Sequence, residues 1–309
     1  LISLESTTYP GTTEELIIPV IEEQNFIIGK DFFVVYSPER ENPGGDIRQE
    51  NITKILGGAT KICAKKGHAI YSKVFKKVEI VSSIKIAELT KLLENIHRAV
   101  NLGMINEFKM ICDKMGVDTM EVVDAAATKP FGFVPYYPGP GWGGHCIPVD
   151  PFYFSWKAKE FGMNARFIEL AGEMNLNVQD WLQEKILHVL NLDSIALSSS
   201  KILLLGLSYK ENVDDARESP SLRLYDWISV NGGYVKYSDP HFPKFPSSSK
   251  YIFKDSSVKL TSTSLKKFDL VVLLTKHKGF NYSLIKKHSK RIIDTRGVFA
   301  PDQKTVFRG

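Results

Sequence analysis

Lys201-Ile-Leu-Leu-Leu-Gly206 is the stretch that decides the fold, because a short apolar run ending at a glycine is typical of a buried strand. A helical pattern follows it, and then three further strand-like runs. The helical pattern covers residues 219–230, and the strand-like runs cover 234–237, 268–275 and 291–294. Strands that alternate with helices indicate a doubly wound α/β domain. We predict such a domain for residues 195–309.

The N-terminal residues show the same alternation, so residues 1–83 are predicted to form another Rossmann-like α/β domain with a parallel sheet. Thr12, Thr13 and Glu15 offer an N-terminal cap for its first helix. Residue 1 is a leucine that already lies in a strand-like run, so we expect this domain to be truncated. The strand-like runs are 1–5, 32–36 and 78–81, and the helix-like runs are 12–24, 47–56 and 59–66.

Between these blocks the apolar residues recur at helical spacing. Residues 84–115 contain no proline and one glycine, which predicts a single long helix. Further helices are predicted at 117–127 and between 151 and 190. A long helix between two α/β blocks often joins domains or subunits, so residues 84–194 are assigned to a central helical domain. The serine-rich break at 194–200 is the predicted linker to the C-terminal domain.

Composition excludes several classes of protein. The chain has 309 residues, of which 43% are hydrophobic and 24% charged, as in ordinary globular proteins. Its net charge of +5 is too small to indicate a nucleic-acid partner. No apolar run approaches the ~18–20 residues of a membrane-spanning helix, so no membrane partner is expected. Three cysteines, Cys63, Cys112 and Cys146, make no disulfide framework, which favours a reducing, cytoplasmic location.

Pro138-Gly-Pro-Gly-Trp-Gly-Gly-His-Cys-Ile-Pro-Val-Asp150 is the most informative stretch for function. Four glycines within six residues allow the backbone to approach a ligand closely. The pattern Gly139-x-Gly141-x-x-Gly144 formally matches a dinucleotide-binding fingerprint. We reject that interpretation, because no strand precedes the pattern and Pro148 and Pro151 disrupt the helix that should follow.

Cys146 lies near the end of this loop, four residues before Asp150. On residues alone, a buried structural cysteine and a nucleophile are equally supported, whereas the other two cysteines fit structural positions. Lys91, Asn95 and Arg98 share one face of the predicted long helix. Such a polar stripe is normally solvated, but if it faced Cys146 it could stabilise an oxyanion.

Two further segments could hold phosphate groups. Gly206-Leu-Ser-Tyr-Lys210 follows a predicted strand, and Asp214-Asp-Ala-Arg-Glu-Ser-Pro-Ser221 leads into a predicted helix. A lysine and an arginine at these places suit phosphates, although plain surface loops fit equally well. The sequence has no Walker A, HExxH, GxSxG or paired CxxC motif, and no metal is expected.

Together these motifs resemble the UDP-glucose/GDP-mannose dehydrogenase family, in order and over essentially the whole chain. Within the family, the segments at 37–45 and 127–141 are most similar to bacterial UDP-N-acetylglucosamine 6-dehydrogenases. The motifs that carry the resemblance begin at Glu5 (ESTTYPGTT), Ser37 (SPERENPGG), Ala87 (AELTKLLEN), Gly141 (GWGGHCIPVD), Gly206 (GLSYK, extending to RESP at Arg217) and Asp294 (DTRG).

The resemblance implies an α/β fold of two Rossmann-like doubly wound domains joined by the central helical domain. The family's glycine-rich NAD fingerprint lies on its first strand, so we expect the N-terminal part of the NAD-binding domain to be missing. The implied reaction is NAD-dependent oxidation of the C6 alcohol of a UDP-N-acetylhexosamine, first of all UDP-GlcNAc, to the uronic acid for surface polysaccharides. The resemblance also implies a homodimer or higher homo-oligomer formed through the long helix.

Several alternatives stay open. UDP-glucose, UDP-ManNAc and UDP-GalNAc are alternative substrates within the family. An inert nucleotide-sugar-binding protein is an alternative from another class, although binding alone requires no nucleophile. A cysteine hydrolase using Cys146 with His145 is a weaker one, because adjacent residues in a tight loop rarely face each other.

The resemblance further implies roles for individual residues. Cys146 would form a thiohemiacetal with the aldehyde and then a thioester that water hydrolyses. The other implied catalytic residues are Lys91 and Asn95 for the oxyanion, Thr7 and Asp150 for a water, and Glu39 for thioester hydrolysis. The implied NAD contacts are Thr7, Glu39, Cys146 and, at the pyrophosphate, Arg217. The implied substrate contacts are Lys210 at the phosphates, Arg296 at the sugar end, and Glu39, Arg40, Lys91, Asn95, Trp142 and Gly143.

Overall fold

The structure is a computed structural model that describes residues 1–42, 44–45, 47–246 and 250–309. Pro43, which belongs to the motif beginning at Ser37, lies outside the described residues. The chain divides into two compact units. The N-terminal unit comprises Leu1–Ala99 and Val149–Glu169, and the C-terminal unit comprises Val100–Pro148 and Leu170–Gly309.

Strands and helices alternate at both ends of the chain, with helices alone between them. The N-terminal elements are β1 (Ile2–Leu4), α1 (Ile18–Glu22, after a π turn at Thr13–Ile17), β2 (Val34–Tyr36), β3 (Lys54–Gly58), α2 (Lys61–Tyr71) and β4 (Val78–Val81). The central helices are α3 (Ile84–Met115), α4 (Thr119–Ala127), α5 (Asp150–Glu160) and α6 (Arg166–Asn191). The C-terminal elements are β5 (Lys201–Leu205), α7 (Pro220–Val230), β6 (Tyr234–Ser238), α8 (Ser262–Leu265), β7 (Leu270–Leu273), α9 (Tyr282–His288), β8 (Ile292–Asp294) and β9 (Val306–Arg308).

The sheet of the N-terminal unit has the order β1-β2-β3-β4. β1 and β2 are parallel, and so are β3 and β4, but β2 and β3 are antiparallel. The prediction of a purely parallel sheet is therefore wrong here, and the amino end of β3 lies at the carboxyl edge of β1 and β2. That arrangement brings Lys54, the first residue of β3, to this edge.

The predicted helix at 47–56 is wrong. The structure has a 3₁₀ turn at Gln49–Asn51 followed by β3, whose Leu56 is fully buried. β3 hydrogen-bonds to a strand on each side. Its Ile55 and Leu56 belong to two different hydrophobic cores, so both faces of this short apolar run are covered. Periodicity alone does not separate such a run from one turn of a buried helix.

The predicted cap of the first helix is also wrong. Thr12 makes no side-chain cap, and its hydroxyl donates instead to the carbonyl of Tyr9. The fully buried carboxylate of Glu88, on α3, accepts from the amides of Gly11 at 2.5 Å and Thr13 at 3.0 Å. A carboxylate from a distant helix thus satisfies the amides that open this helical segment.

The long helix is confirmed as α3, with the predicted bounds, and a helical segment follows in each predicted region up to α6. Within the described part of the chain, no helix has the length and apolarity required to cross a membrane.

The sheet of the C-terminal unit is parallel throughout, in the order β6-β5-β7-β8-β9. Alternate residues of β5 point into two cores: Ile202 and Leu204 pack with α6 and α7, whereas Leu203 and Leu205 pack with α8 and α9. All four are fully buried, and each leucine contributes roughly 1.5–3 kcal/mol through burial. The predicted doubly wound domain is confirmed, and β9 is an additional strand.

Candidate active site

The strand order of the C-terminal sheet places a crevice next to β5. The chain runs from β5 to β6 on one side and then to β7 on the other, so the order reverses between β5 and β7. In open α/β sheets, ligands bind outside the carboxyl ends of the strands at such a reversal. The loops that follow β5 and β7 are therefore the candidate ligand-binding loops.

A cleft of about 460 Å³ lies where this rule places it. The volume is within the ~300–1,000 Å³ typical of small-ligand pockets. The lining residues come from the loops after β5, β7 and β8, from α4 and from the segment before the glycine-rich loop. They are Met120, Asp124, Tyr137, Pro138, Tyr209, Lys210, Glu211, Thr275, Lys276, Arg296 and Gly297.

Three cationic side chains line this cleft: Lys210, Lys276 and Arg296. Lys210 and Arg296 were predicted as substrate contacts, and the structure brings them together in one cleft. Lys276 was missed, although a lysine three residues after a buried strand next to β5 was a usable signal. Glu211 and Asp124 also line the cleft, so the cations exceed the carboxylates by one.

Arg296 is held firmly in this cleft. Its Nε donates to the carbonyl of Leu274 at 2.6 Å, and a Cβ on Gly139 would lie 2.7 Å from its guanidinium. A larger residue at 139 would therefore displace this guanidinium. Burial lowers the pKa of Arg296 to about 10, so the guanidinium stays charged at neutral pH.

Two side chains of α3 fix the peptide of Gly139. The Asn106 side-chain oxygen accepts from its amide at 3.0 Å, and Lys109 Nζ donates to its carbonyl at 3.0 Å. Lys109 also lies over the face of Trp181. Burial, reinforced by nearby Arg296, lowers the pKa of Lys109 to about 7. Neither α3 residue was expected at the site.

The glycine-rich loop packs against the loop that follows β5. A Cβ on Gly143 would lie 2.5 Å from the Cβ of Tyr209, and one on Gly144 would contact the tyrosine ring. The amide of Gly144 donates to the carbonyl of Arg217 at 2.9 Å. Close packing against Tyr209 thus explains two of the glycines. The predicted substrate contact of Gly143 stays a prediction.

Cys146 is exposed in the C-terminal unit, which disagrees with its interpretation as a buried structural residue; Cys63 and Cys112 are buried as expected. The pKa of the Arg217 guanidinium is raised, mainly by its hydrogen bonds with Asp215 and to a smaller extent by the nearby Cys146 thiolate. A neighbouring cation favours a thiolate, the reactive form of cysteine.

Trp142 is buried, with an exposed fraction of 5%. Its amide donates to the side-chain oxygen of Asn175 at 2.5 Å. Among the described residues, its indole N–H has no hydrogen-bond partner. A buried donor of this kind costs free energy unless a ligand or water accepts from it.

In the N-terminal unit, the structure brings together two predicted catalytic residues. Asn95 Nδ2 donates to Asp150 Oδ2 at 2.7 Å, and both side chains are buried. Lys91 lies one turn before Asn95 on α3 and is half-buried, whereas Arg98 is exposed. The expectation that this polar stripe faces solvent is therefore correct for Arg98 and wrong for Asn95.

Glu39 lies just past the carboxyl end of β2, and Thr7 lies past the end of the neighbouring β1. The Glu39 carboxylate accepts from the amides of Arg40 and Glu41, and Lys54 Nζ lies 3.5 Å from it. Burial raises the pKa of Glu39, but Lys54 and these amides outweigh it and hold the pKa below its ordinary value.

Arg40, whose substrate contact stays a prediction, makes two contacts within the N-terminal unit. Its guanidinium pairs with Glu94 at 2.6 Å and donates to the carbonyl of Thr53 at 2.7 Å. The predicted grouping of Cys146 with Lys91 and Asn95 concerns residues of different units and stays a prediction.

Comparison with known protein families covers most of the chain. Residues 85–177 match the central domain of the UDP-glucose/GDP-mannose dehydrogenase family, residues 203–301 match its UDP-binding domain, and residues 1–75 match its NAD-binding domain. The chain belongs to the UDP-glucose/GDP-mannose dehydrogenase family. The cleft described above lies mainly in the family's UDP-binding domain.

Individual family members show how far the likeness extends. Protein CapL of Staphylococcus aureus is 34% identical over 99% of this chain and 73% of its own length. The UDP-N-acetyl-D-glucosamine 6-dehydrogenase of Pseudomonas aeruginosa is 35% identical over 78% of this chain and 57% of its own length. The structure of a UDP-D-ManNAc dehydrogenase from Pyrococcus horikoshii has a TM-score of 0.86 and 29% identity, covering 100% of this chain and 72% of that one. The chain thus spans between about half and three quarters of the length of these family members.

The match at residues 1–75 shows that the family's NAD-binding domain is present in the chain. The expectation that the N-terminal part of that domain is missing stays a prediction. Thr7 and Glu39 lie where two parallel strands end, which fits a contact with a bound nucleotide. The amides of Gly11 and Thr13 are already taken by Glu88, so this helix start does not fit a pyrophosphate.

Proposed function

We propose that the protein oxidises the C6 alcohol of a UDP-N-acetylhexosamine to the uronic acid, with NAD as hydride acceptor. UDP-GlcNAc is the first candidate substrate, for which the Pseudomonas aeruginosa relative is named. UDP-ManNAc is the second, for which the Pyrococcus horikoshii structure is named. The observation that carries the proposal is the cation-lined cleft in the UDP-binding domain.

The cleft suits the diphosphate of a nucleotide sugar. Lys210 and Lys276 offer ammonium groups, and Arg296 offers a planar guanidinium that is already oriented by the carbonyl of Leu274. Charge-assisted hydrogen bonds from such groups to phosphate are roughly twice as strong as neutral ones. The indole N–H of Trp142 is a further donor that a sugar oxygen could accept from.

The chemistry needs a group that adds to the intermediate aldehyde. NAD, when bound, would accept the two hydrides that separate an alcohol from a carboxylate. Cys146 is the proposed nucleophile: its sulfur forms a bond to the aldehyde carbon, giving a thiohemiacetal and, after oxidation, a thioester. One water then cleaves the C–S bond, which releases the carboxylate and returns the thiolate. The overall change consumes one water and releases three protons.

The Asn95–Asp150 pair fits a supporting role in these steps. An asparagine amide carries two N–H donors, and Asp150 engages one of them. The buried carboxylate thereby fixes the amide plane, so the second N–H is the proposed donor to the developing oxyanion, together with Lys91. Glu39, held ionised by Lys54, is the proposed acceptor of a proton from the hydrolytic water.

A substrate panel tests this proposal. The natural protein is incubated with NAD and, separately, with UDP-GlcNAc, UDP-ManNAc, UDP-GalNAc and UDP-glucose, and NADH absorbance and the sugar product are followed. We expect the highest kcat/KM for UDP-GlcNAc, with uronic acid as product. A higher value for UDP-ManNAc would reassign the substrate, a preference for UDP-glucose would contradict the N-acetylhexosamine assignment, and no reaction with any would refute the proposal.

A further inference from the structure

Two loops form one side of the cleft. The first loop, residues 206–213, supplies Tyr209, Lys210 and Glu211, and the second loop, residues 274–278, supplies Thr275 and Lys276. Both phosphate-directed lysines therefore depend on how these loops are held. The polar groups that hold the loops are Asp239 and His277, neither of which lines the cleft.

Asp239 follows β6 directly and has an exposed fraction of 3%. Its Oδ2 accepts from the amides of Leu207 at 2.6 Å and Ser208 at 3.3 Å, both in the first loop. Its Oδ1 accepts from the amide of His241 at 2.7 Å. Burial opposes its ionisation, but His277 and these amides hold the pKa of Asp239 below its ordinary value. A buried carboxylate thus anchors the start of the first loop.

His277 belongs to the second loop and is fully buried. Its Nδ1 accepts from the amide of Asn212, in the first loop, at 3.0 Å. An imidazole nitrogen that accepts carries no proton, so the proton lies on Nε2. From there it is donated to Asp239 Oδ2, 3.2 Å away. The geometry therefore selects a single tautomer of the neutral ring.

Two more hydrogen bonds join the same loops. Thr275 Oγ1 donates to the carbonyl of Ser208 at 2.6 Å, and the amide of Lys278 donates to the side-chain oxygen of Asn212 at 2.9 Å. His277 lies between Thr275 and Lys278 in the sequence, so its hydrogen bond and these two form one continuous network between the loops, here called the seam. The seam holds Lys210 and Lys276 on adjacent, fixed backbones.

We propose that Asp239 and His277 form a latch, with the His277 proton on Nε2, that positions Lys210 and Lys276 for the diphosphate. The affinity for UDP would then depend on two residues that never touch it, because a pre-ordered loop loses little conformational freedom on binding. The proposal rests on the proposed function, since the ligand it names is that of the cleft.

The tautomer is tested first, on the natural protein without ligand. Histidine ¹⁵N shifts, with the His277 ring assigned through its own backbone in the natural protein, distinguish protonation at Nε2 from protonation at Nδ1. We expect protonation at Nε2 and slow hydrogen exchange of the Asn212 amide. A ring protonated at Nδ1, or a rapidly exchanging Asn212 amide, overturns the latch. This measurement decides the point even where a variant fails to fold.

The positioning role is tested by calorimetric titration with UDP. His277→Gln and Asp239→Asn are compared with His188→Gln, which alters an exposed histidine of α6. We expect both latch variants to weaken UDP binding about tenfold with folded far-ultraviolet spectra, and the control to bind like the natural protein. Folded latch variants with unchanged affinity overturn the positioning role and leave the proposed function intact. Absence of UDP binding by the natural protein refutes the proposed function instead, and the tautomer still decides whether the latch exists.

Discussion

Replacing Lys276 by methionine tests the composition of the phosphate cleft. Methionine keeps the length and most of the apolar stem of lysine and removes the charge. Lys278 provides a matched control, because it is also exposed, lies two residues further on and does not line the cleft. Both substitutions change the net charge equally, so a difference between them reports on position and not on overall charge.

The size of the effect follows from distance and exposure. Two unit charges about 4 Å apart interact by ~1 kcal/mol in water and by ~4 kcal/mol at an effective dielectric constant of ~20. Because Lys276 is exposed, its contact with a phosphate belongs near the lower value. A loss of about 1–1.5 kcal/mol corresponds to a five- to tenfold weaker affinity.

Isothermal titration with UDP measures this difference directly. We expect Lys276→Met to raise the Kd five- to tenfold at low salt, with a smaller ratio at high salt as the interaction is screened. Lys278→Met should stay within twofold of the natural protein. Equal Kd values for the two variants, with UDP bound, would refute the assignment of Lys276 to the phosphates.

Three further predictions concern single groups. Lys109→Met should gain stability relative to the natural protein as pH falls from 9 to 6, measured as the difference between their free energies of unfolding in urea titrations. The Lys109 pKa of about 7 lies below that of lysine in the unfolded chain, so the natural protein gains stability as pH rises above about 7, whereas methionine does not titrate. A difference independent of pH would contradict this. Lys54→Met should raise the pKa of Glu39 in ¹³C carboxyl titrations, whereas Lys54→Arg should keep it low; an unchanged pKa in the methionine variant would exclude Lys54 as a cause. Cys146→Ser should abolish uronic acid formation and leave the thermal unfolding midpoint unchanged, because the side chain is exposed; uronic acid formed at the natural rate would refute the thioester route.

Elements with long or repeated patterns could be predicted from the sequence. α3 was predicted with its observed bounds because apolar residues recur at helical spacing over 32 residues without a proline. The C-terminal sheet was predicted because each strand is a short apolar run separated from the next by helical or loop residues. The first three residues of β3 were predicted as the end of a helix, since a strand of five residues offers too little periodicity to distinguish a strand from a helix.

Features that depend on contacts between residues far apart in the sequence could not be predicted from it. The Glu88 cap joins residues more than 70 positions apart, so no local capping pattern announces it. Lys54 reaches Glu39 because β3 runs antiparallel to β2, whereas a parallel sheet was predicted. Cys146 could be singled out by its glycine-rich loop, yet only the structure shows that it is exposed.

Counting NADH against product tests the central claim most directly. The natural protein is given UDP-GlcNAc and excess NAD, and the reaction is followed to completion with the sugar product identified by mass spectrometry. The proposal predicts two NADH for each UDP-N-acetylglucosaminuronic acid, with no aldehyde released. One NADH for each aldehyde released, or no NADH from any UDP-N-acetylhexosamine, would contradict it.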